Sequence, residues 1–131
     1  MKYLLDTNVL IDMFRGDQKI RGKIVKAGFD ECAVSAITYA EILTGCHLAG
    51  YEEHKHEDAF LKENFTIIPV ESSISNYAEI RADLLRNGTP VDNFDILIGA
   101  TALVHKLTIV THNKKHFEKI PGLQIRDWRE D

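Results

Sequence analysis

Disulfide chemistry is the first thing this sequence lacks material for. It has only two cysteines, Cys32 and Cys46, without framework spacing, and they read as reduced thiols. No apolar run approaches the ~18 residues that a membrane helix needs. The opening apolar run is broken by Asp6 and Asn8, and no small-residue cleavage site follows, so it does not read as a signal peptide. A cytoplasmic location without membrane association is the expectation. Positive charge is also short: 16 Lys and Arg against 20 Asp and Glu leave −4. The whole chain therefore carries no electrostatic footprint for nucleic acid. Such a substrate must be held by local basic residues or bound cations, while an acidic surface suits a basic partner. There is no Gly-rich phosphate loop, no nucleophilic serine motif, no repeat and no linker. What is present is 131 residues, 44% of them hydrophobic, enough to bury a core as one domain over 1–131.

The organising stretch is Lys2-Tyr3-Leu4-Leu5-Asp6-Thr7-Asn8-Val9-Leu10-Ile11. Tyr3 to Leu5 reads as a strand buried on both faces. Three small polar residues then stop it, and an apolar helix pattern resumes. A carboxylate thus sits where a first strand ends and a first helix begins, the end of an open α/β sheet at which ligands bind. Helix capping explains Asp6, Thr7 or Asn8 equally well.

Further on, Lys19 to Lys26 predicts a helix stopped by Gly28. Cys32–Ser35 predicts a strand whose last residue caps a helix over Ile37–Gly45. Leu48–Asn64 predicts a charged helix, and Phe65–Val70 a strand ended by Pro69. Ser72 or Ser73 opens a helix with Ile74, Tyr77, Ile80, Leu84 and Leu85 on its apolar side, closed by Asn87-Gly88. Asp92–His105 is another helix, Leu107–Thr111 a strand, and Leu123–Ile125 a last short strand. Strands alternating with helices imply an α/β fold: a central, mostly parallel sheet flanked by helices on both faces.

Four polar positions share a placement near strand ends and helix starts. Glu41 lies in an apolar helix after the second strand, where an unpaired buried carboxylate is costly. Asp95 is surrounded by Phe94, Ile96, Leu97 and Ile98, whereas Asp92 in the same first turn reads as a cap. Asn113 follows the fourth strand as Asp6 follows the first, and Thr111 offers a hydroxyl two residues earlier. Three carboxylates and an amide oxygen in one cleft repel as anions unless a divalent cation neutralises them. Oxygen-only donors suit Mg²⁺ or Mn²⁺, which can activate a water against a phosphodiester.

Leu5-Asp6-Thr7-Asn8-Val9-Leu10-Ile11, Ser35-Ala36-Ile37-Thr38-Tyr39-Ala40-Glu41-Ile42, Asp95-Ile96-Leu97-Ile98-Gly99-Ala100-Thr101-Ala102-Leu103 and Val110-Thr111-His112-Asn113-Lys114-Lys115-His116-Phe117 run nearly end to end. In that order and spacing the chain resembles a PIN-domain protein of the virulence-associated protein C (VapC) type, the toxins of bacterial toxin–antitoxin pairs. The resemblance implies a metal-dependent endoribonuclease whose acids are Asp6, Glu41 and Asp95, with Asn113 at a fourth position that is often Asp. It further implies a homodimer and a small basic antitoxin that lays a helix in a groove near the active site.

Thr7, Asn8, Thr111 and Lys114 are candidate substrate-positioning residues, with Lys114 and Lys115 the better phosphate contacts and His112 and His116 reading as polar loop residues. Cys46, His47, His54 and His56 do not share a helix face or a zinc spacing. Two other readings compete. One is a non-catalytic PIN scaffold that binds RNA or protein. The other is a receiver-like phosphoryl-transfer domain, which wants a neighbouring acid where Asp6 is followed by Thr7-Asn8.

Overall fold

Alternation along the first strand decides the layering. Leu4 and Leu5 are both fully buried, yet they join different cores, because successive strand side chains point to opposite faces. A computed structural model describes residues 1–131. Its five strands are β1 (Tyr3–Leu5), β2 (Cys32–Ser35), β3 (Thr66–Ile68), β4 (Thr108–Val110) and β5 (Ile125–Arg126). They form one sheet in the order β3-β2-β1-β4-β5. Every pairing is parallel, with Leu4 opposite Ala33 on one side and Ile109 on the other.

The first core takes Leu5, Val34 and Val110 from the sheet. Against them pack α1 (Thr7–Phe14), α2 (Gln18–Ala27), α3 (Ala36–Ala49) and α4 (Tyr51–Asn64), through residues such as Leu10, Ile24, Ile42 and Leu61. The second takes Leu4, Ala33 and Ile109 with Ile98 and Ala102 of α6 (Asn93–Val104), Phe117 of α7 (Lys114–Phe117) and, at its margin, Ile80 of α5 (Ile74–Arg86). No helix is long and apolar enough to cross a membrane.

The strand order places the topological switch between β1 and β4. Successive connections run outward to β2 and β3, then return to the other side of β1. Asp6 leaves β1 at this point, and its amide still donates to the Val110 carbonyl at 2.9 Å. Thr111 to Asn113 leave β4 beside it.

Three expectations are corrected here. The helix expected over Leu48–Asn64 is split, because Gly50 takes φ +115, outside any helix. Of the proposed apolar side of α5 only Leu84 is buried; Ile74 is 50% and Leu85 65% exposed, so that helix lies shallowly on the domain. The last strand falls at Ile125–Arg126 rather than Leu123–Ile125, since it pairs with Ile109 and Val110.

One close approach fixes α6 against the segment after α7. A Cβ on Gly99 would stand 2.6 Å from Cδ1 of buried Ile120, with Leu123 and Phe117 behind it. Gly99→Val should therefore overpack this contact and cost about 2 kcal/mol. A lowered melting temperature checks it; an unchanged one would mean that the Ile120 side has room to yield.

Candidate metal centre and active site

Asp6 is 5% exposed and held on both carboxylate oxygens. Oδ1 accepts from the Thr7 amide at 2.8 Å, which also caps α1, and Oδ2 accepts from the Thr111 hydroxyl at 2.8 Å. Capping and site placement are therefore the same geometry. Thr111 in turn accepts from the Asn113 amide at 3.0 Å, so the turn after β4 is tied to the acid after β1.

Glu41 reaches the same place from α3, whose start is capped by Ser35 through the Thr38 amide at 3.1 Å. The Thr7 hydroxyl donates to Glu41 Oε1 at 2.7 Å and lies 3.2 Å from the Thr38 hydroxyl. Only part of α3 is buried, chiefly Thr38, Ile42 and Cys46, so Glu41 is half-buried rather than enclosed. Asp95 stands in the first turn of α6, half-buried, with His116 Nδ1 3.0 Å from its Oδ2. Asp92 is the exposed cap of α6, accepting from the Phe94 amide at 2.9 Å.

The electrostatics link these acids. Burial pushes the Asp6 carboxyl above its ordinary range; hydrogen bonds from Thr111 and Thr7 pull back, and the Asp95 charge pushes further. Glu41 is raised by burial first, then by Asp6 and Asp92, against the Thr7 hydroxyl. Asp95 is raised by burial, opposed by His116 and reinforced by Asp92 and Glu41. Among the main influences on the three acids the basic side chain is His116, acting on Asp6 and Asp95. The donor set therefore fits a hard divalent cation, with oxygen ligands and an excess of negative charge. The side chains do not yet close on one point, for no three His, Cys, Asp or Glu groups stand near enough to share an ion as they are.

Asn113 is exposed at the start of α7, and its side chain makes no hydrogen bond within the chain. Thr7 and Thr111 spend their hydroxyls on Glu41 and Asp6, and Asn8 Oδ1 accepts from the His112 amide at 3.3 Å. Lys114 is paired with Glu130 at 2.7 Å. His112 and His116 are more than the loop residues expected. The His112 ring is 5% exposed and sits between Asp127 Oδ1 at 3.2 Å and Asp12 Oδ2 at 2.8 Å. The second contact lies off the line of the ring N–H, so it is an electrostatic contact and not an aligned hydrogen bond. Arg129 completes the group, donating to Asp12 at 2.6 Å from its side chain and to Asp127 at 2.9 Å from its amide.

A parallel α/β sheet with mutually repelling carboxylates at its switch point defines a class: proteins that gather acids at strand ends to work with a cation. Residues 3–123 match the PIN domain family. The Ribonuclease VapC1 of Haemophilus influenzae (strain R2866) is 33% identical over 132 residues, covering 98% of both chains. The structure of VapBC-1 from nontypeable Haemophilus influenzae superposes with a TM-score of 0.86 at 32% identity, over 98% of this chain and 99% of that one. A toxin–antitoxin complex from Klebsiella pneumoniae follows at 0.74 and 31%, over 97% and 98%. The chain belongs to the PIN-domain family, in its VapC branch.

Each raised acid binds its proton more tightly folded than unfolded. The group favours the folded state most below its ordinary pKa, 3.8 for Asp and 4.5 for Glu, and that advantage is lost as pH rises through the raised folded value. Asp6→Asn removes the most deeply buried of these charges. In chelator at pH 7 it should melt at or above the parent chain, the gap narrowing towards pH 4. A clear loss of stability at pH 7 would show that the charge of Asp6 is compensated within the chain.

Proposed function

We propose that the chain is a metal-dependent endoribonuclease, the toxin of a type II toxin–antitoxin pair, that hydrolyses RNA phosphodiester bonds. Asp6, Glu41 and Asp95 are its catalytic and metal-holding acids, with Asn113 as a fourth, weaker oxygen donor. The observation that carries this reading is the tethering of the acids at the switch point, Asp6 by Thr7 and Thr111, Glu41 by the same Thr7, and Asp95 beside His116. Mg²⁺ or Mn²⁺ suits the all-oxygen set and supplies, when bound, charge neutralisation and an acidified water for attack on phosphorus. The chain's own residues do the positioning. Thr111 and the Thr7 amide fix the Asp6 carboxylate, the Thr7 hydroxyl aims Glu41, and His116 holds Asp95 at the rim. No side chain need form a bond to the substrate.

A homodimer, a small basic antitoxin and a cytoplasmic location belong to the same proposal. The −4 net charge suits such a partner. An apolar groove of about 400 Å³, walled by Met13, Phe14, Ile24, Val25, Phe29 and Phe60, offers a seat for an amphipathic helix. The nuclease test is cleavage of total cellular RNA by the antitoxin-free chain with Mg²⁺, with Mn²⁺ and with chelator. Discrete fragments should appear only with metal. Asp6→Ala should lower the rate at least about 100-fold, roughly 2.7 kcal/mol of barrier. Full activity in chelator or in the variant would refute the reading.

A further inference from the structure

The basic residues of this chain divide into those spent internally and those left free. Lys114 pairs with Glu130, Lys62 with Asp58 and Lys55 with Glu52, while Lys19 and Lys23 donate to carbonyls of Arg129 and Asp131 at 2.5 and 2.9 Å. Lys115 and Lys119 have no acidic partner. Both line one cleft of about 520 Å³ between the 90–92 segment and α7. That cleft includes Asp92, Asp95 and His116, so it opens directly onto the third acid of the site; Glu118 is its other charged wall residue. The lysines are four apart across a single helical turn and its continuation, where the Glu118 amide still donates to the Lys114 carbonyl at 2.9 Å. Residues at that spacing are neighbours on one side of a helix.

Neither ammonium group is tied up in an ion pair within the chain, so both are free to meet the phosphates of a polyanion that reaches the rim of the site. With the whole chain at −4, a nucleic-acid backbone must be held by local cations of this kind. A second basic patch, with Lys2, Lys26 and Arg126, gathers around Tyr3 at the amino end of β1, away from the acids, and its Arg126 already faces Asp131 at 3.6 Å. We propose that the cleft between the 90–92 segment and α7 is the track of the RNA backbone, with Lys115 and Lys119 each holding a phosphate next to the bond cut at Asp95. His116 marks the junction, lining the cleft while contacting Asp95. This rests on the ribonuclease reading and names the substrate path of that site.

The test measures binding of a labelled 12-nucleotide oligouridylate in chelator over a range of salt, alongside kcat and KM on cellular RNA with metal. Two released counterions correspond to a slope change of about 1.4 in log K against log salt for a single strand. K115A/K119A should lose about that much slope and bind about tenfold more weakly at low salt. Its KM should rise while kcat stays within about twofold, as for a contact made equally before and during reaction. K2A/K26A removes the same charge at the other end of the sheet and should change neither. If the parent chain cleaves RNA and K115A/K119A keeps its slope and KM, the track is wrong and the ribonuclease reading stands. If the parent chain neither binds nor cleaves RNA, both fall. Binding of polyglutamate in place of oligouridylate would assign the cleft to an acidic peptide and overturn the proposal.

Discussion

Burial of the Asp6 carboxylate is the constraint on which the remaining site geometry depends. A charged group this enclosed is expensive, and the chain offsets the cost chiefly with two hydrogen bonds, from the Thr7 amide and the Thr111 hydroxyl. Those two donors come from α1 and from the end of β4, so satisfying the acid also joins the two strands that flank the switch point. Thr7 then extends the connection to Glu41 on α3, and Thr111 extends it to the Asn113 turn. Burial and the neighbouring carboxylates still outweigh these donors and His116, so all three acids, Asp6, Glu41 and Asp95, are raised.

Around this centre the C-terminal segment acts as a brace. Trp128 packs edge-on against Tyr3 at 5.1 Å, covering the sheet where β1 begins. Asp127 and Arg129 reach His112 and Asp12, tying β4 and α1 together on the outer side of the site. Burial alone would raise Asp127, but the Arg129 amide and His112 outweigh it and hold that carboxyl below its ordinary range. Two treatments of acids thus lie close together. For Asp127 the groups around it outweigh burial, whereas for the three site acids burial and neighbouring carboxylates outweigh the hydrogen bonds and His116. That contrast sets the structural pairing of Asp127 apart from the three acids proposed to hold a cation.

Much of this was legible in the order of residues. Tyr3-Leu4-Leu5 followed by Asp6-Thr7-Asn8 signals a buried strand meeting a helix, and the sheet bears out that reading. The apolar surroundings of Asp95 and the capping chemistry of Asp92 separate the two acids of one helical turn. Other features depend on distant chain. His112 reads as a loop residue because its partners, Asp12 and Asp127, lie far from it in sequence. Lys114 and Lys115 look equivalent side by side. A one-residue rotation on a short helix sends the first to Glu130 and the second into the cleft. The apolar pattern of α5 is real, but periodicity says which side is apolar and not how deeply a neighbour covers it.

Whether the three acids form a cation site is measured most directly, without any substrate, by calorimetric titration of Mn²⁺ into the purified chain at pH 7. Saturable binding is expected, weakening as pH falls through the raised acid range and lost in Asp95→Asn. Binding that is absent in the folded parent chain, or that persists unchanged in that variant, would contradict it.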